Sequence, residues 1–260
     1  MNRADELVLI PAAGRVPEGI LAFSSLSCSA MIPVAGRPVI HWTLHYLRSL
    51  GFRRFALAVP QRGLFVEDYV DAVFGRDAEI SFLVPSADRG LGGTVLELAE
   101  AAEGGSALVV LGDTHFELAD PSILETEDAF VLVERVEDSY RWCVAEIDDA
   151  DRITGLHDKE PDLPGPLDAL IGVYRFPDLV ELREVARAAM TATTGPRLEM
   201  AAVLRGLAER RPIRAVRAGK WLDCGNPDRQ ASSHRSLLQA RAFNEIDIDP
   251  VLGTLVKRSR

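Results

Sequence analysis

The chain has 260 residues, 47% of them hydrophobic, enough for one large α/β domain or two small ones. Its 29 basic residues stand against 39 acidic ones, and the net charge of −10 argues against a nucleic-acid or anionic-membrane surface as the main partner. Cys28, Cys143 and Cys224 show no CxxC spacing, which points away from a disulfide framework or a zinc site and toward small buried apolar residues.

Leu7–Ile10 is a continuous apolar run that stops at Pro11–Gly14, the pattern of a parallel strand buried on both faces and ended by a tight turn. Ile40, Leu44, Leu47 and Leu50 fall at helical spacing within 38–50, before a stop at Gly51 and a buried strand at 55–59. These segments make a βαβ unit. The rhythm continues with a helix predicted at 65–74, a strand at 79–84, a helix at 93–102 and the very apolar strand 107–111, which ends at Gly112–Asp113. After about residue 128 shorter strands are predicted at 130–133, 141–147, 153–156 and 170–176, separated by acidic and proline-rich turns. Amphipathic helices near 178–190 and 197–209, a strand at 213–217, the segment Trp221–Gly225 and a helix from 227 complete the pattern.

The expected fold is therefore α/β: a doubly wound, mostly parallel, Rossmann-like sheet extended by a mixed half that forms the acceptor side of a cleft. Residues 1–240 read as one domain, and 241–260 as a C-terminal extension or the stub of a further one. No apolar run approaches the roughly 20 residues of a membrane span. Asp5 and Glu6 stand where a secretory leader would be basic, so a cytoplasmic protein is expected.

In open α/β sheets, ligands bind beyond the carboxyl ends of the strands, where loop amides and helix N-termini face outward. Three strand ends here carry unusual residues: Ala12–Arg15, Gly112–Asp113 and Trp221–Gly225. Asp113 alone reads equally well as a turn cap. Paired with Asp223 from a distant strand end, it suits Mg²⁺, which binds through one or two carboxylates and otherwise keeps water and phosphate oxygens. Arginine supplies all but three of the basic residues, so Lys159 and Lys220 stand out as places wanting a compact ammonium.

An ordered series of motifs from Val8 to about Gln230 resembles the nucleotidylyltransferases that join a nucleoside triphosphate to a sugar 1-phosphate and release pyrophosphate. It runs through Ile10–Gly14, Met31–Pro38, Gly112–Phe116, Asp158–Pro161, Gly172–Tyr174 and Trp221–Gly225. The resemblance implies that Asp113 and Asp223 hold Mg²⁺ as the catalytic metal and that Lys159 neutralises the acceptor phosphate. It also implies that Gly172 lets the acceptor approach the backbone. Ala12, Ala13, Gly14 and Arg15 would cradle the triphosphate beside Gly112, and Gly92, Gly93 and Thr94 would lie along the base or ribose. The implied partners are a nucleoside triphosphate and a phosphorylated small-molecule acceptor, with no nucleic acid and no membrane; a homo-oligomer is left open. Direct attack of the acceptor phosphate on the α-phosphorus needs no general base, so no catalytic role falls to His41, His45, His115, His157 or His234.

The opening loop departs from the family pattern. A second glycine, a Thr or Ser, and an arginine normally follow the Ala-Gly, whereas Gly14 is followed by Arg15–Glu18, and the usual lysine before the proline–valine segment falls at Ser29. Charge developing on the phosphates still has to be neutralised, and Arg15 is the nearest candidate, with Arg37 and Arg89 in reserve. Two other readings stay open: a catalytically impaired nucleotide-sugar-binding or regulatory homologue, and a glycosyltransferase of related architecture. The latter lacks its usual Asp-x-Asp motif here, since Thr114–His115 follow Asp113.

Overall fold

In a computed structural model, residues 3–16, 28–61, 64–86, 88–225 and 227–243 are described. The parallel half is built from β1 (Leu7–Pro11), α1 (Val39–Ser49), β4 (Arg54–Ala58), α2 (Leu64–Phe74), β5 (Glu79–Leu83), α3 (Gly90–Ala101) and β6 (Ala107–Val110). Between β1 and α1 a two-residue hairpin pairs β2 (Pro33–Val34) with β3 (Arg37–Pro38). Its turn residues Ala35 and Gly36 both take positive φ, 50° and 81°, the backbone that matches strand twist in the tightest hairpins.

The second half comprises β7 (Thr114–Leu118), β8 (Ala129–Val136), β9 (Cys143–Ile147), β10 (Ile153–Asp158), β11 (Leu167–Phe176), α4 (Leu179–Ala192), α5 (Met200–Ala208), β12 (Ile213–Asp223) and α6 (Pro227–Phe243). One sheet joins the halves in the order β5-β4-β1-β6-β11-β8-β12-β7, with β9 and β10 branching from β11. β1, β4, β5 and β6 pair in parallel, β11 is antiparallel to β6 and β8, and β12 runs parallel to β8 before pairing antiparallel with β7.

Period-two alternation sends successive side chains of β1 to opposite faces. Leu7 and Leu9 join the cluster under α3, α4 and α5, while Val8 and Ile10 join the cluster under α1 and α2. Both faces are covered, which is why β1, β4 and β6 read as unbroken apolar runs. At the amino end of β1, Glu6 and Arg175 form an ion pair of 2.7 Å with both side chains 1% exposed. Burial pushes the Glu6 carboxyl up and Arg175 pulls it back, so the pair is held away from water at the end of the sheet opposite the predicted site.

The doubly wound sheet with a mixed extension is the architecture expected. Three boundaries differ in instructive ways. α3 begins at Gly90 rather than near 93, because the Gly92 amide is taken by the Leu198 carbonyl at 2.8 Å and the glycines let the two backbones close up. The segments 213–217 and 221–225 are not separate: β12 is one strand to Asp223 that changes partner from β8 to β7 across a register shift at Gly219. The partner strand β7 follows Asp113 directly and has no counterpart among the predicted elements. α6 continues past residue 240 to Phe243, and 244–260 lie outside the described residues.

Candidate active site

Asp113 sits in the turn between β6 and β7. That turn is pinned from both sides: the Leu111 amide donates to Gly172 of β11 at 2.9 Å, and the Gly112 amide donates to Pro11 of β1 at 3.1 Å. A side chain at Gly112 would strike Ala12, with Cβ 2.8 Å from Cβ, so the turn carrying Asp113 and the opening turn are in direct contact. Asp223 reaches the same place by register. It is paired with Thr114 in the β12–β7 ladder, one residue from Asp113. The indole Nε1 of Trp221 donates to Thr114 Oγ1 at 3.0 Å and fixes this ladder side to side.

Both carboxylates line one cavity of ≈ 340 Å³. Lys159 and Gly172 line it too, so four of the predicted residues converge. Burial pushes the Asp113 carboxyl up, opposed by a hydrogen bond from the Ser29 hydroxyl. Burial likewise raises Asp223, to about 6; the Gly225 amide and Arg229 pull it down, while Asp113 and Asp138 push it further up. Gly225 donates to Asp223 Oδ1 at 2.9 Å, whereas Oδ2 is buried with no hydrogen-bond partner among the described residues. A shared pocket holding two desolvated carboxylates, one with an orphaned oxygen, fits a hard divalent cation.

Lys159 adopts a left-handed φ of 56°, uncommon for a residue with a β-carbon, and its amide donates to Trp142 at 2.9 Å. Its ammonium is exposed at the rim and makes no hydrogen bond or ion pair with a described residue. Lys220, by contrast, is paired with Glu117 across the β12–β7 ladder at 3.2 Å, so its ammonium has a structural partner. Gly172 has a φ of 88°, and a β-carbon there would lie 2.6 Å from the Leu111 side chain. Glycine is thus required by the backbone itself, at the irregularity between Leu170 and Tyr174 where β11 slips against β8.

The nucleotide-side residues are less gathered. Gly14 and Arg15 are exposed, and the Arg15 side chain bonds to no described residue. Gly14 accepts from the Ser29 amide at 2.9 Å, which brings Ser29 against Asp113. Gly92 and Gly93 are buried against Leu198 and Met190, while Thr94 Oγ1 bonds back to Gly90 at 3.1 Å; none of the three lines the cavity. Arg89 lies 3.9 Å from Glu97. Residues 17–27, between the opening turn and Cys28, lie outside the described residues.

Several lining residues carry no sequence signal of their own: Arg141 and Trp142 from the segment before β9, Glu199 at the start of α5, and Leu91 and Met200. Two potential nucleophiles in the wall are silenced by burial. The Cys143 thiol is pushed up to about 12 and the Tyr174 phenol is raised, so both stay protonated near neutral pH. His41 is buried and bonded to Tyr69 Oη at 2.9 Å, which takes one ring nitrogen away from any pairing with His45.

Fold and cleft together define a doubly wound α/β protein in which a carboxylate pair faces a lysine at the strand ends. The chain belongs to the nucleotidyl transferase family, whose model matches residues 24–240. Among characterised relatives it is similar to a glucose-1-phosphate thymidylyltransferase of Streptomyces griseus, 27% identical across 87% of this chain and 65% of the relative. One of the same name from Streptomyces antibioticus is 29% identical across 82% of this chain and 61% of the relative. The chain thus spans under two thirds of the length of both. In fold it resembles a UDP-glucose pyrophosphorylase solved with UDP-glucose, with a TM-score of 0.73 at 20% identity over 91% of this chain and 99% of that one. It also resembles HddC from Yersinia pseudotuberculosis complexed with GMP-PN, with a TM-score of 0.68 at 19% identity over 89% and 99%. Among the described residues no helix is long and apolar enough to cross a membrane.

Proposed function

We propose that the protein transfers a nucleoside monophosphate from a triphosphate to a sugar 1-phosphate or similar phosphorylated polyol, with release of pyrophosphate. The observation that carries this reading is the meeting of Asp113 and Asp223, from the two halves of the sheet, in one cavity with Lys159 at its rim. Asp113 and Asp223 would hold Mg²⁺, which when bound supplies positive charge to the α-phosphate and the departing pyrophosphate. Lys159 meets the acceptor phosphate as a point charge. The backbone of Ala12–Gly14 and Gly112 faces the triphosphate, with Arg15 as the adjoining cation. The acceptor phosphate is already anionic, so in-line attack needs no base, consistent with the protonated Cys143 and Tyr174 in the wall. Nucleoside triphosphates and Mg²⁺ place such work in the cytoplasm.

The relatives' names set the first pair to test, dTTP with glucose 1-phosphate, beside the other triphosphates and other sugar phosphates. The test is pyrophosphate release in Mg²⁺, with loss of signal in EDTA. A second reading, a nucleotide-sugar-binding homologue with little turnover, is favoured by one observation: Ser29, where the family resemblance expects a lysine, gives its hydroxyl to Asp113. Thermal stabilisation by triphosphates without pyrophosphate release from any pair would decide for that reading.

A further inference from the structure

Arg229, on α6, touches both walls of the cleft without lining the cavity. Its guanidinium carbon lies 4.8 Å from the ring centre of Trp142 and 5.1 Å from that of Trp221, two indoles that themselves meet edge to face at 4.9 Å. One nitrogen donates to Asp138 Oδ1 at 2.9 Å, and Nε stands 3.7 Å from Asp223 Oδ2, the carboxylate oxygen left without a hydrogen bond. Each indole leads to a different part of the site. The backbone carbonyl of Trp142 accepts the Lys159 amide, and the Trp221 indole donates to Thr114 beside Asp113. Ser233, also on α6, donates to the Asp223 carbonyl at 2.9 Å, so the helix grips this strand end twice.

We infer that Arg229 is a positioning residue for Asp223: its planar fork, stacked on Trp142 and Trp221 and anchored on Asp138, fixes the orientation of the Asp223 carboxylate. The inference rests on the reading of Asp113 and Asp223 as the metal-holding pair. A guanidinium suits the task because it can stack flat on a ring and donate in its own plane at once, whereas an ammonium is a point charge without that fixed plane. The separation of 3.7 Å matters as well: it orients Oδ2 electrostatically yet leaves its lone pairs for a ligand. Residues that hold a ligating carboxylate commonly contribute tenfold or more to metal affinity.

Charge and positioning predict opposite signs. Removing a cation beside acidic groups should tighten cation binding if Arg229 acts by charge alone, and loosen it if the carboxylate loses its orientation. The experiment is titration of the full chain with Mn²⁺ alone, followed by the electron paramagnetic resonance of the free ion and, in parallel, by tryptophan emission. Arg229→Ala and Arg229→Lys are both expected to weaken binding by about tenfold. Arg229→Lys keeps the charge and the stem, so it remains informative if the alanine variant does not fold. Unchanged or tighter Mn²⁺ binding in Arg229→Lys would overturn the inference. Absence of saturable binding in the wild type, or full binding in Asp223→Asn, would instead overturn the metal reading and the inference with it.

Discussion

The two flanks of the candidate site are built differently. On the flank proposed for the acceptor, Lys159, Trp142, Trp221 and Asp223 are tied by a backbone bond, an edge-to-face ring contact, a strand register and the Arg229 fork. On the flank proposed for the triphosphate, Gly14 and Arg15 stand exposed, joined to the rest chiefly through the Ser29 amide and the contact of Ala12 with Gly112. A flank that must present a point charge and a carboxylate at fixed angles is held by side-chain packing, whereas one that wraps phosphates with backbone amides needs only its own turn. The contrast has consequences for function: substitutions on the braced flank should alter turnover or geometry, and those on the open flank should alter affinity.

The largest effect is expected at the carboxylates, where the flanks meet. Asp113→Asn and Asp223→Asn should each lower turnover by about 10² or more, because each removes charge that would hold the metal against the phosphates. Burial disfavours the charged form of both, so the melting temperature in metal-free buffer should stay level or rise. Pyrophosphate-release rates near wild type in either variant would break the comparison at its root. Next is Lys159. Its ammonium bonds to no described residue, so Lys159→Ala should leave the fold intact and raise the apparent acceptor constant by roughly 10–100-fold, the range for one charge-assisted phosphate contact. Equal losses for acceptor and triphosphate would show that the lysine serves both.

On the open flank, Arg15→Ala should raise the apparent triphosphate constant by about tenfold, the low end of that range because Arg15, unlike Lys159, does not line the cavity. Acceptor affinity should barely move. A kinetically silent Arg15→Ala, with the defect appearing instead in Arg37→Ala or Arg89→Ala, would assign the triphosphate to other cations.

The same contrast governs what the sequence made legible. Strands buried on both faces announce themselves as apolar runs, so β1, β4 and β6 and the carboxylate that follows β6 could be located from local pattern alone. Asp223 and Gly172 were locatable because each belongs to one of the motifs that carry the family resemblance. Arg229 was not. Its role depends on α6 folding back over two tryptophans that lie 79 residues apart in the chain, and nothing in the spacing of Asp228, Arg229 and Gln230 marks that contact. Glu199 was hidden likewise, at the start of α5 and brought to the cavity only by helix packing. Strand β7 escaped because Thr114–Leu118 directly continues the turn carrying Asp113, and its partner was predicted to end at 217.

The smallest effect is expected at the outer edge of the braced flank, where His157 bridges Glu146 of β9 at 3.0 Å and Glu160 of the Lys159 turn at 3.1 Å. Hydrogen bonds to these carboxylates raise the imidazole above its ordinary value of 6.5. A group raised on folding stabilises the native state fully below its unfolded value, and the contribution fades as the pH climbs through the raised folded value. His157→Gln should therefore lower the melting temperature slightly at pH 6 and not at pH 9, and Glu146→Gln should bring the imidazole titration, followed by NMR, back toward 6.5. The bridge is exposed to solvent, so the stability change should be near the limit of measurement. Its kinetic trace should be more specific. If His157 braces the turn that presents Lys159, the acceptor constant in His157→Gln should rise by a small factor while the triphosphate constant stays fixed, and the rise should shrink as the wild-type imidazole deprotonates. No rise at any pH would mean that the turn is held by the Lys159 amide and Trp142 alone, confining the bracing to the interior of the flank.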